Sequence, residues 1–508
     1  MRTVFGLVLF LCSLTFAQAA ERPSLSKPNI VLILADDMGF SDAGCYGGEI
    51  RTPHIDSLAR DGMRFTQFYN CARCVPTRQS LLTGLYPQQL RDSANAVTLA
   101  EVLRAAGYRT LMTGKWHGHP GLPTDHGFDR YYGLTSGSCN SFNPGNRRPS
   151  EPEPAKDFGL VRPWSIDGKK LRPYTPTDPN WYATDAFTDH ALAYLDQYAD
   201  EDRPFFLFIS HIAPHHPLQA PPEEIAKYRG KYRVGWDKIR EQRWQRIRQL
   251  GIAEPAWRLP PRDPDAPLWS EQKNQDEWDL AMAVYAAMVD RMDQNIGRVL
   301  AKLRELGKEQ DTIVLFLSDN GACAEINNQT PDIPPGPMES YRTYDVGWAN
   351  ASNTPFRKYK RWTHEGGICT PLIVKWPDQI KPGVINRAPG HIMDLMPTFC
   401  ELAGIDYPQR FQGKAITPTE GKSLLSILRG KTRQPHDSLC WEHIGYKGVR
   451  QGNWKLVGRG DPTKLSNWEL YNLSTDRTES NDLAKAHPQR CAQMAKTWRD
   501  WAKRTGLK

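Results

Sequence analysis

Continuous apolar runs that alternate with helical patterns constrain the fold of this chain more than any other feature. After its first residue, the run Asn29–Ala35 is entirely apolar, as expected of a strand buried on both faces of a sheet. The segment Met282–Leu303 places Met, Ile, Val and Leu at helical spacing, which predicts a long buried helix. Alternating strands and helices indicate an α/β fold. The predicted strands are Asn29–Ala35, Tyr108–Met112, Phe205–Ser210, Thr312–Leu317 and Pro371–Lys375, and the predicted helices include Thr98–Ala106, Asp185–Tyr198 and Met282–Leu303.

The residues that follow four of these strands are charged or polar. In an open α/β sheet, ligands bind at the carboxyl ends of the strands, so these side chains are expected to converge on one site. Each fragment alone could instead cap a helix or form an ordinary turn. The candidates are Asp36 and Asp37 after the first strand, Lys115 and His117 after the second, His215 after the third, and Asp319 and Asn320 after the fourth.

Four of these candidates offer oxygen atoms as metal ligands. Asp36, Asp37 and Asp319 carry carboxylates, and Asn320 carries an amide oxygen. Three carboxylates in one cleft would repel each other strongly, and a divalent cation removes that repulsion. Hard oxygen ligands suit Ca²⁺ or Mg²⁺, so we expect calcium, with magnesium as the second choice.

The stretch Cys74–Arg78 (CVPTR), followed by QSLLTG, predicts a special position at the start of a helix. Pro76 suits the first helical turn, where its missing N–H costs nothing. Cys74 is therefore expected at a helix N-terminus, where free N–H groups and the helix dipole favour an anion. Arg78, one turn later, offers a fork of donors for a tetrahedral oxyanion. The alternatives are a structural thiol or, together with Cys71, a redox dithiol; zinc is disfavoured because no second cysteine pair lies nearby.

The C-x-P-x-R motif followed by LLTG resembles the signature of the type I sulfatases, and the resemblance runs from about residue 28 to about residue 483. Val75 and Thr77 replace residues that are commoner in that family, but the Cys, Pro and Arg are intact. The resemblance implies an α/β fold with a large alkaline-phosphatase-like sheet sandwiched by helices, and a smaller C-terminal α+β subdomain. It also implies that a formylglycine-generating maturation enzyme oxidises Cys74 to formylglycine.

Further matches carry the resemblance residue by residue. Lys115 and His117 lie in GKWH, and Lys360 lies five residues before EGG. In APHHPLQAP, the alignment of the prolines favours His215 over His216. The implied metal ligands are Asp36, Asp37, Cys74, Asp319 and Asn320, and the implied catalytic residues are Cys74, Arg78, Lys115, His117, His215 and Lys360.

The resemblance further implies how these side chains act on a sulfate ester. The formylglycine hydrate at position 74 attacks sulfur and forms a covalent sulfo-enzyme. Arg78, Lys115, Lys360 and the metal neutralise the sulfuryl oxygens, and His215, alone or with Lys360, protonates the leaving group. His117 then removes the proton of the second hydroxyl, so that sulfate leaves and the aldehyde forms again.

Two other functions stay open at this point. The first is a phosphate or phosphonate ester hydrolase of the alkaline-phosphatase superfamily, in which Ser or Thr is the usual residue at the position of Cys74. The second is an inactive, exported carbohydrate-binding protein on a sulfatase scaffold, which the loss of a metal ligand would indicate. The expected substrate is a sulfated small molecule or a sulfated polysaccharide. The net charge of +8 is mild and unclustered, which suits an anionic substrate and does not indicate nucleic-acid binding.

The N-terminus is typical of a secretory signal. A basic residue precedes the apolar run Val4–Phe16, and Ala17–Ala19 forms an A-x-A cleavage site. The run is too short for an uncleaved membrane anchor, and no later segment approaches spanning length. We therefore expect an exported protein, periplasmic or secreted, with no membrane span after cleavage.

The chain is expected to divide into a signal peptide at 1–20, a catalytic domain at 21–420 and a C-terminal subdomain at 421–508. Four short strands and a helix over about His487–Arg504 predict the α+β character of the last part. The basic, Trp-rich segment Lys227–Arg298 has two interpretations. It forms a lid or sugar-stacking wall over the site, or a basic surface helix with a Pro-rich loop.

Overall fold

A computed structural model describes residues 27–91 and 95–507, so the predicted signal segment lies outside the described residues. The strands are β1 (Asn29–Ala35), β2 (Met63–Tyr69), β3 (Arg109–Gly114), β4 (Arg130–Leu134), β5 (Trp164–Ile166), β6 (Lys169–Leu171), β7 (Phe205–Ser210), β8 (Thr312–Ser318), β9 (Cys369–Lys375), β10 (Val384–Asn386), β11 (Gly390–His391), β12 (Arg410–Phe411), β13 (Lys414–Ala415), β14 (Leu439–His443), β15 (Tyr446–Gln451), β16 (Trp454–Arg459) and β17 (Trp468–Asn472). The helices are α1 (Pro53–Arg60), α2 (Cys74–Thr83), α3 (Leu99–Ala105), α4 (Ala183–Gln197), α5 (Pro222–Ala226), α6 (Gly235–Gln249), α7 (Gln275–Glu305), α8 (Asp345–Ser352), α9 (Glu365–Ile368), α10 (Leu395–Leu402), α11 (Leu425–Leu428) and α12 (Pro488–Arg504).

One large mixed sheet organises most of the chain. Its strand order is β10-β2-β9-β8-β1-β7-β3-β4-β5-β6, and β11 also pairs with β2. The four central strands β8, β1, β7 and β3 are mutually parallel. Their carboxyl ends therefore lie along the same edge, as the sequence predicted. The fifth predicted strand, β9, runs antiparallel to β8.

Helices cover both faces of this sheet because its central strands are apolar on both sides. Successive side chains of a strand point to opposite faces. Val31 of β1 belongs to a core cluster with residues of α4 and α7, including Phe187. Its neighbour Leu32 belongs to a second cluster with residues of α3 and α10, including Phe399. The predicted arrangement of a sheet sandwiched by helices is thus confirmed.

A second, smaller sheet follows near the C-terminus. Strands β14 to β17 form an antiparallel meander in sequence order, and α12 packs on it. The Nε1–H of Trp498 in α12 donates to the carbonyl of Trp441 in β14 at 2.8 Å. This confirms the predicted α+β character of the tail. The domain boundary at residue 420 stays a prediction.

The basic, Trp-rich segment makes buried contacts with the rest of the large domain. Trp236 and Trp257 are buried. Arg243 of α6 is fully buried and pairs with Asp42 and Glu49 at 2.6 and 2.8 Å. These contacts favour the structural interpretation over a sugar-stacking wall, although α6 is more buried than a surface helix. Among the helices of the described ranges, none has the length and apolar character needed to cross a membrane.

Candidate active site

The ends of β1 and β8 bring the predicted metal ligands together. Asp36, Asp37, Asp319 and Asn320 are all buried. The backbone N–H of Asp37 donates to Oδ1 of Asp319 at 3.2 Å, and the side-chain N–H of Asn320 donates to Oδ1 of Asp37 at 2.6 Å. Asp37 has a positive φ of 65°, a conformation that Asp tolerates better than most residues. Because β1 and β8 are parallel neighbours, these turns lie side by side.

Helix α2 carries the predicted nucleophile and the predicted arginine into this cluster. Cys74 is the first residue of the helix and is buried. Burial raises the pKa of its thiol, although the charges of Lys115 and Lys360 oppose the rise. Arg78 is fully buried and donates from two nitrogens to Oδ2 of Asp319, at 2.9 and 3.1 Å. One turn of helix thus places both side chains at the edge where the strands end.

Two buried lysines pair with the two carboxylates that follow β1. Nζ of Lys115 lies 2.5 Å from Oδ2 of Asp36, and Nζ of Lys360 lies 2.8 Å from Oδ2 of Asp37. Burial opposes the ionisation of Asp37, but Lys360 and His215 outweigh it and hold the pKa of Asp37 well below its usual range. Burial and the neighbouring charge of Asp36 raise the pKa of Asp319, and the charges of Arg78 and Lys115 oppose the rise. The positive charges of Arg78, Lys115 and Lys360 thus offset the three closely spaced carboxylates.

The two predicted histidines flank these lysines. Nε2 of His215 lies 3.4 Å from Nζ of Lys360 and 3.5 Å from Oδ2 of Asp37. Burial lowers the pKa of His215 to about 3, which keeps its ring neutral. Burial and the charges of Lys115 and Arg78 also lower the pKa of His117.

Two oxygen atoms of the cluster are available as ligands for a cation. Within the described residues, Oδ1 of Asp36 and Oδ1 of Asn320 are buried and have no hydrogen-bond partner. Buried polar atoms without partners are rare in native proteins and often mark an ion or a water. Carboxylates of Asp36 and Asp37 and the ring of His215 also lie close enough to share one ion. The oxygen-rich donor set fits a hard divalent cation such as Ca²⁺ or Mg²⁺.

Sequence analysis missed the residues that support and surround this cluster. Ser210, the last residue of β7, has its hydroxyl against Arg78 and donates to the carbonyl of Lys115 at 2.7 Å. The only sequence feature that could have indicated Ser210 as a site residue is its position at the end of a predicted strand. Arg73, Glu325 and His443 lie around the entrance, on three separate segments that no local motif connects.

Two protein-family models match this chain. A family model described as Sulfatase matches residues 28–405, which is most of the chain. The chain belongs to the sulfatase family. A second model, N-sulphoglucosamine sulphohydrolase, C-terminal, matches residues 356–500. Together they include every predicted site residue and the small C-terminal sheet.

Individual sulfatases agree with the family models. An uncharacterized sulfatase of Schizosaccharomyces pombe is 34% identical over 95% of this chain and 94% of its own length. An arylsulfatase of Klebsiella aerogenes is 32% identical over 83% of this chain and 96% of its own length. A crystal structure of Ps i-CgsB in complex with k-i-k-neocarrahexaose superposes with a TM-score of 0.68, at 25% identity, covering 94% and 93% of the two chains. This sulfatase is a sulfuric ester hydrolase. Of the three functions considered from sequence, the family therefore favours hydrolysis of sulfate esters.

Proposed function

We propose that this sulfatase uses residue 74, oxidised from cysteine to formylglycine by a maturation enzyme, as its nucleophile. The observation that carries the proposal is the position of Cys74. It is buried at the start of α2, close to the cations Lys115 and Lys360 and to Asp36 and Asp319. A helix N-terminus and fixed cations stabilise the negative charge that develops when an oxygen nucleophile attacks a sulfate ester.

A divalent cation, which we propose to be calcium with magnesium as the second choice, completes the site. Asp36, Asp37, Asp319, Asn320 and residue 74 would hold it. The three carboxylates balance the formal charges of Arg78, Lys115 and Lys360, so a bound cation leaves two positive charges in excess. That excess favours an anionic substrate. When bound, the cation lowers the pKa of the attacking hydroxyl at residue 74 and neutralises part of the sulfuryl charge.

The side chains of the site divide the remaining work. The ammonium groups of Lys115 and Lys360 and the guanidinium of Arg78 hold the sulfuryl oxygens during attack on sulfur. His215, whose neutral ring lies beside the ammonium group of Lys360, acts together with that lysine to protonate the oxygen of the leaving group. His117 takes the proton from the second hydroxyl of residue 74, so that the aldehyde C=O forms again while the carbon–oxygen bond to sulfate breaks and sulfate leaves.

The proposed substrate is a sulfated small molecule or a sulfated polysaccharide. Two relatives support these classes, an arylsulfatase and a crystallised complex with an oligosaccharide. We further propose that the protein acts outside the cytoplasm, periplasmic or secreted. The predicted signal segment at residues 1–20 supports export.

Hydrolysis assays of the matured protein test this proposal. Wild-type protein, produced with a formylglycine-generating enzyme, is expected to hydrolyse a chromogenic aryl sulfate or a sulfated sugar. Cys74→Ala is expected to fold and to lose activity, whereas Cys71→Ala, a matched change of a buried cysteine three residues earlier, should keep it. Exhaustive chelation should abolish activity, and calcium should restore it. Faster turnover of a phosphate or phosphonate ester than of any sulfate ester would contradict the proposal.

A further inference from the structure

Loops at the entrance of the active site are tied together through their backbones. The N–H of Arg361 donates to the carbonyl of Ala72 at 2.7 Å, and the N–H of Lys360 donates to the carbonyl of Ala322 at 3.0 Å. Ala72 and Arg361 have positive φ angles of 65° and 83°, a region that such residues seldom adopt. Strain of this kind persists only where surrounding contacts hold it, and it clusters at functional sites. These ties fix the loop before residue 74 against the loop that carries Lys360.

Two arginines on these loops keep most of their hydrogen-bond donors free. The side chains of Arg73 and Arg361 are 37% and 43% exposed. Within the described residues, the guanidinium of Arg73 donates no hydrogen bond, and that of Arg361 donates one, to Glu325 at 3.2 Å. The deeper Arg78 differs, because it donates to Asp319 from both Nε and a terminal nitrogen. Since a guanidinium has five donors, Arg73 and Arg361 have donors available for a ligand.

Glu325 is the counter-ion of both arginines, and it is shared. Its carboxylate lies 3.2 Å from Arg361, 3.9 Å from Arg73 and 3.9 Å from Lys360. The two longer contacts are too long for hydrogen bonds. Lys360 also pairs with Asp37, so the surplus charge lies with the arginines. Two arginines and one glutamate leave a formal charge of +1, which favours a further anion at this entrance.

His443, the last residue of β14 in the C-terminal sheet, lies near Arg73 and Arg361. Its Nε2 atom is buried and has no hydrogen-bond partner in the part of the chain that the structure describes. Burial, followed by the charges of Arg73 and Arg361, lowers the pKa of His443 to about 4. The ring is therefore neutral at pH 7, and its open nitrogen can contact a ligand without adding charge.

We propose that Arg73, Arg361 and His443 form a subsite for a second anionic group of the substrate, with Glu325 as a displaceable counter-ion. The inference rests on the proposed function at residue 74 and narrows its substrate class. The substrate is a sulfate ester whose skeleton carries another oxyanion, either a carboxylate or a second sulfate, close to the sulfate that is cleaved. Planar guanidinium forks suit bidentate contacts with either group.

Steady-state kinetics on three esters test the subsite. The esters are a nitrophenyl sulfate and two derivatives that add a carboxylate or a second sulfate to the ring. In Arg73→Gln and in Arg361→Gln, the KM of the dianionic esters should rise by about fivefold or more, because a charge-assisted contact is lost. The KM of the simple ester and all kcat values should stay within about twofold. Arg298→Gln is the matched control, since Arg298 of α7 is 44% exposed and pairs with Asp189 of α4 at the surface.

The outcomes separate this inference from the proposed function. A KM increase confined to the dianionic esters supports the subsite, and the ester with the larger increase identifies the preferred oxyanion. An equal increase for all three esters, or none, would overturn it. Failure of the proposed function would appear as no turnover of any ester by the matured wild-type protein. Calorimetry of the three esters binding to Cys74→Ala then tests the subsite. Adding Arg361→Gln to this variant must weaken the binding of the dianionic esters alone.

Discussion

At the scale of single residues, the active site is a balanced set of buried charges. Lys115 and Lys360 each form an ion pair with one carboxylate, and Arg78 forms an ion pair with Asp319. Buried charges are tolerated when each has a partner and further hydrogen bonds. The unpartnered oxygens of Asp36 and Asn320 are the exception, and they are the atoms that would face the cation. Residue chemistry predicted this ligand set, whereas the lysine–carboxylate pairing required the folded geometry.

The position of His215 beside Lys360 leads to a prediction about leaving groups. His215→Ala should slow esters of poor leaving groups by about 10²-fold or more, because they need a proton donor in the transition state. Activated aryl sulfates should be slowed much less. The measurement is kcat over a series of sulfate esters whose leaving groups differ in pKa. His216→Ala is the neighbouring control and should leave the slope of that series unchanged, and an unchanged slope in His215→Ala would remove the proposed role.

At the scale of elements, the sequence predicted the central strands and helices well because their apolar patterns are strong. The helix predicted as Thr98–Ala106 is observed at Leu99–Ala105, with Thr98 as its N-cap. Strand β2 (Met63–Tyr69) was not predicted, because polar residues interrupt its apolar pattern. The sequence of its partner β9 did not indicate that this strand pairs in antiparallel direction. The direction of a strand depends on the path of the chain and not on local sequence.

The buried strand β11 leads to a prediction about acid stability. Burial lowers the pKa of His391 to about 3, far below the 6.5 expected in the unfolded chain. The contribution of the neutral ring to the free energy of unfolding is fully present above pH 6.5. It is lost as the pH falls from 6.5 towards 3, because in this range the unfolded chain binds a proton and the folded chain does not. The loss should approach about 1.4 kcal/mol per pH unit.

Chemical denaturation between pH 7 and 5 measures this effect. His391→Asn keeps an acceptor for the N–H of Met393 and should reduce the pH slope by the share of one histidine, since other buried histidines such as His215 also contribute. His487→Asn, a change at an exposed histidine, should leave it as in the wild-type protein. Equal pH slopes in all three proteins would show that His391 does not contribute.

At the scale of the whole molecule, a buried ionic network joins the C-terminal sheet to the large domain. Lys455 of β16 lies 2.6 Å from Glu365 of α9 and 2.8 Å from Glu479. Arg477 pairs with Glu365 as well, and all four side chains are buried. Glu365 belongs to the EGG motif five residues after Lys360. The sequence did not reveal this network, because its members are up to 114 positions apart.

Removing Lys455 should therefore destabilise the whole molecule. Lys455→Met leaves two buried carboxylates with one cation and should lower the free energy of unfolding by about 3–5 kcal/mol. Thermal or chemical denaturation measures the change. Lys496→Met, a control on the exposed face of α12, should change it by less than about 0.5 kcal/mol. Similar stabilities of the two variants would contradict the proposed coupling.

The most direct test of the account is the mass of the tryptic peptide Cys74–Arg78 from the active enzyme. Trypsin releases this peptide because Arg73 and Arg78 bound it. The account predicts an aldehyde in place of the thiol at residue 74, in a fraction of molecules that rises in proportion to specific activity. Fully active enzyme whose peptide carries only an unmodified thiol would contradict the central claim.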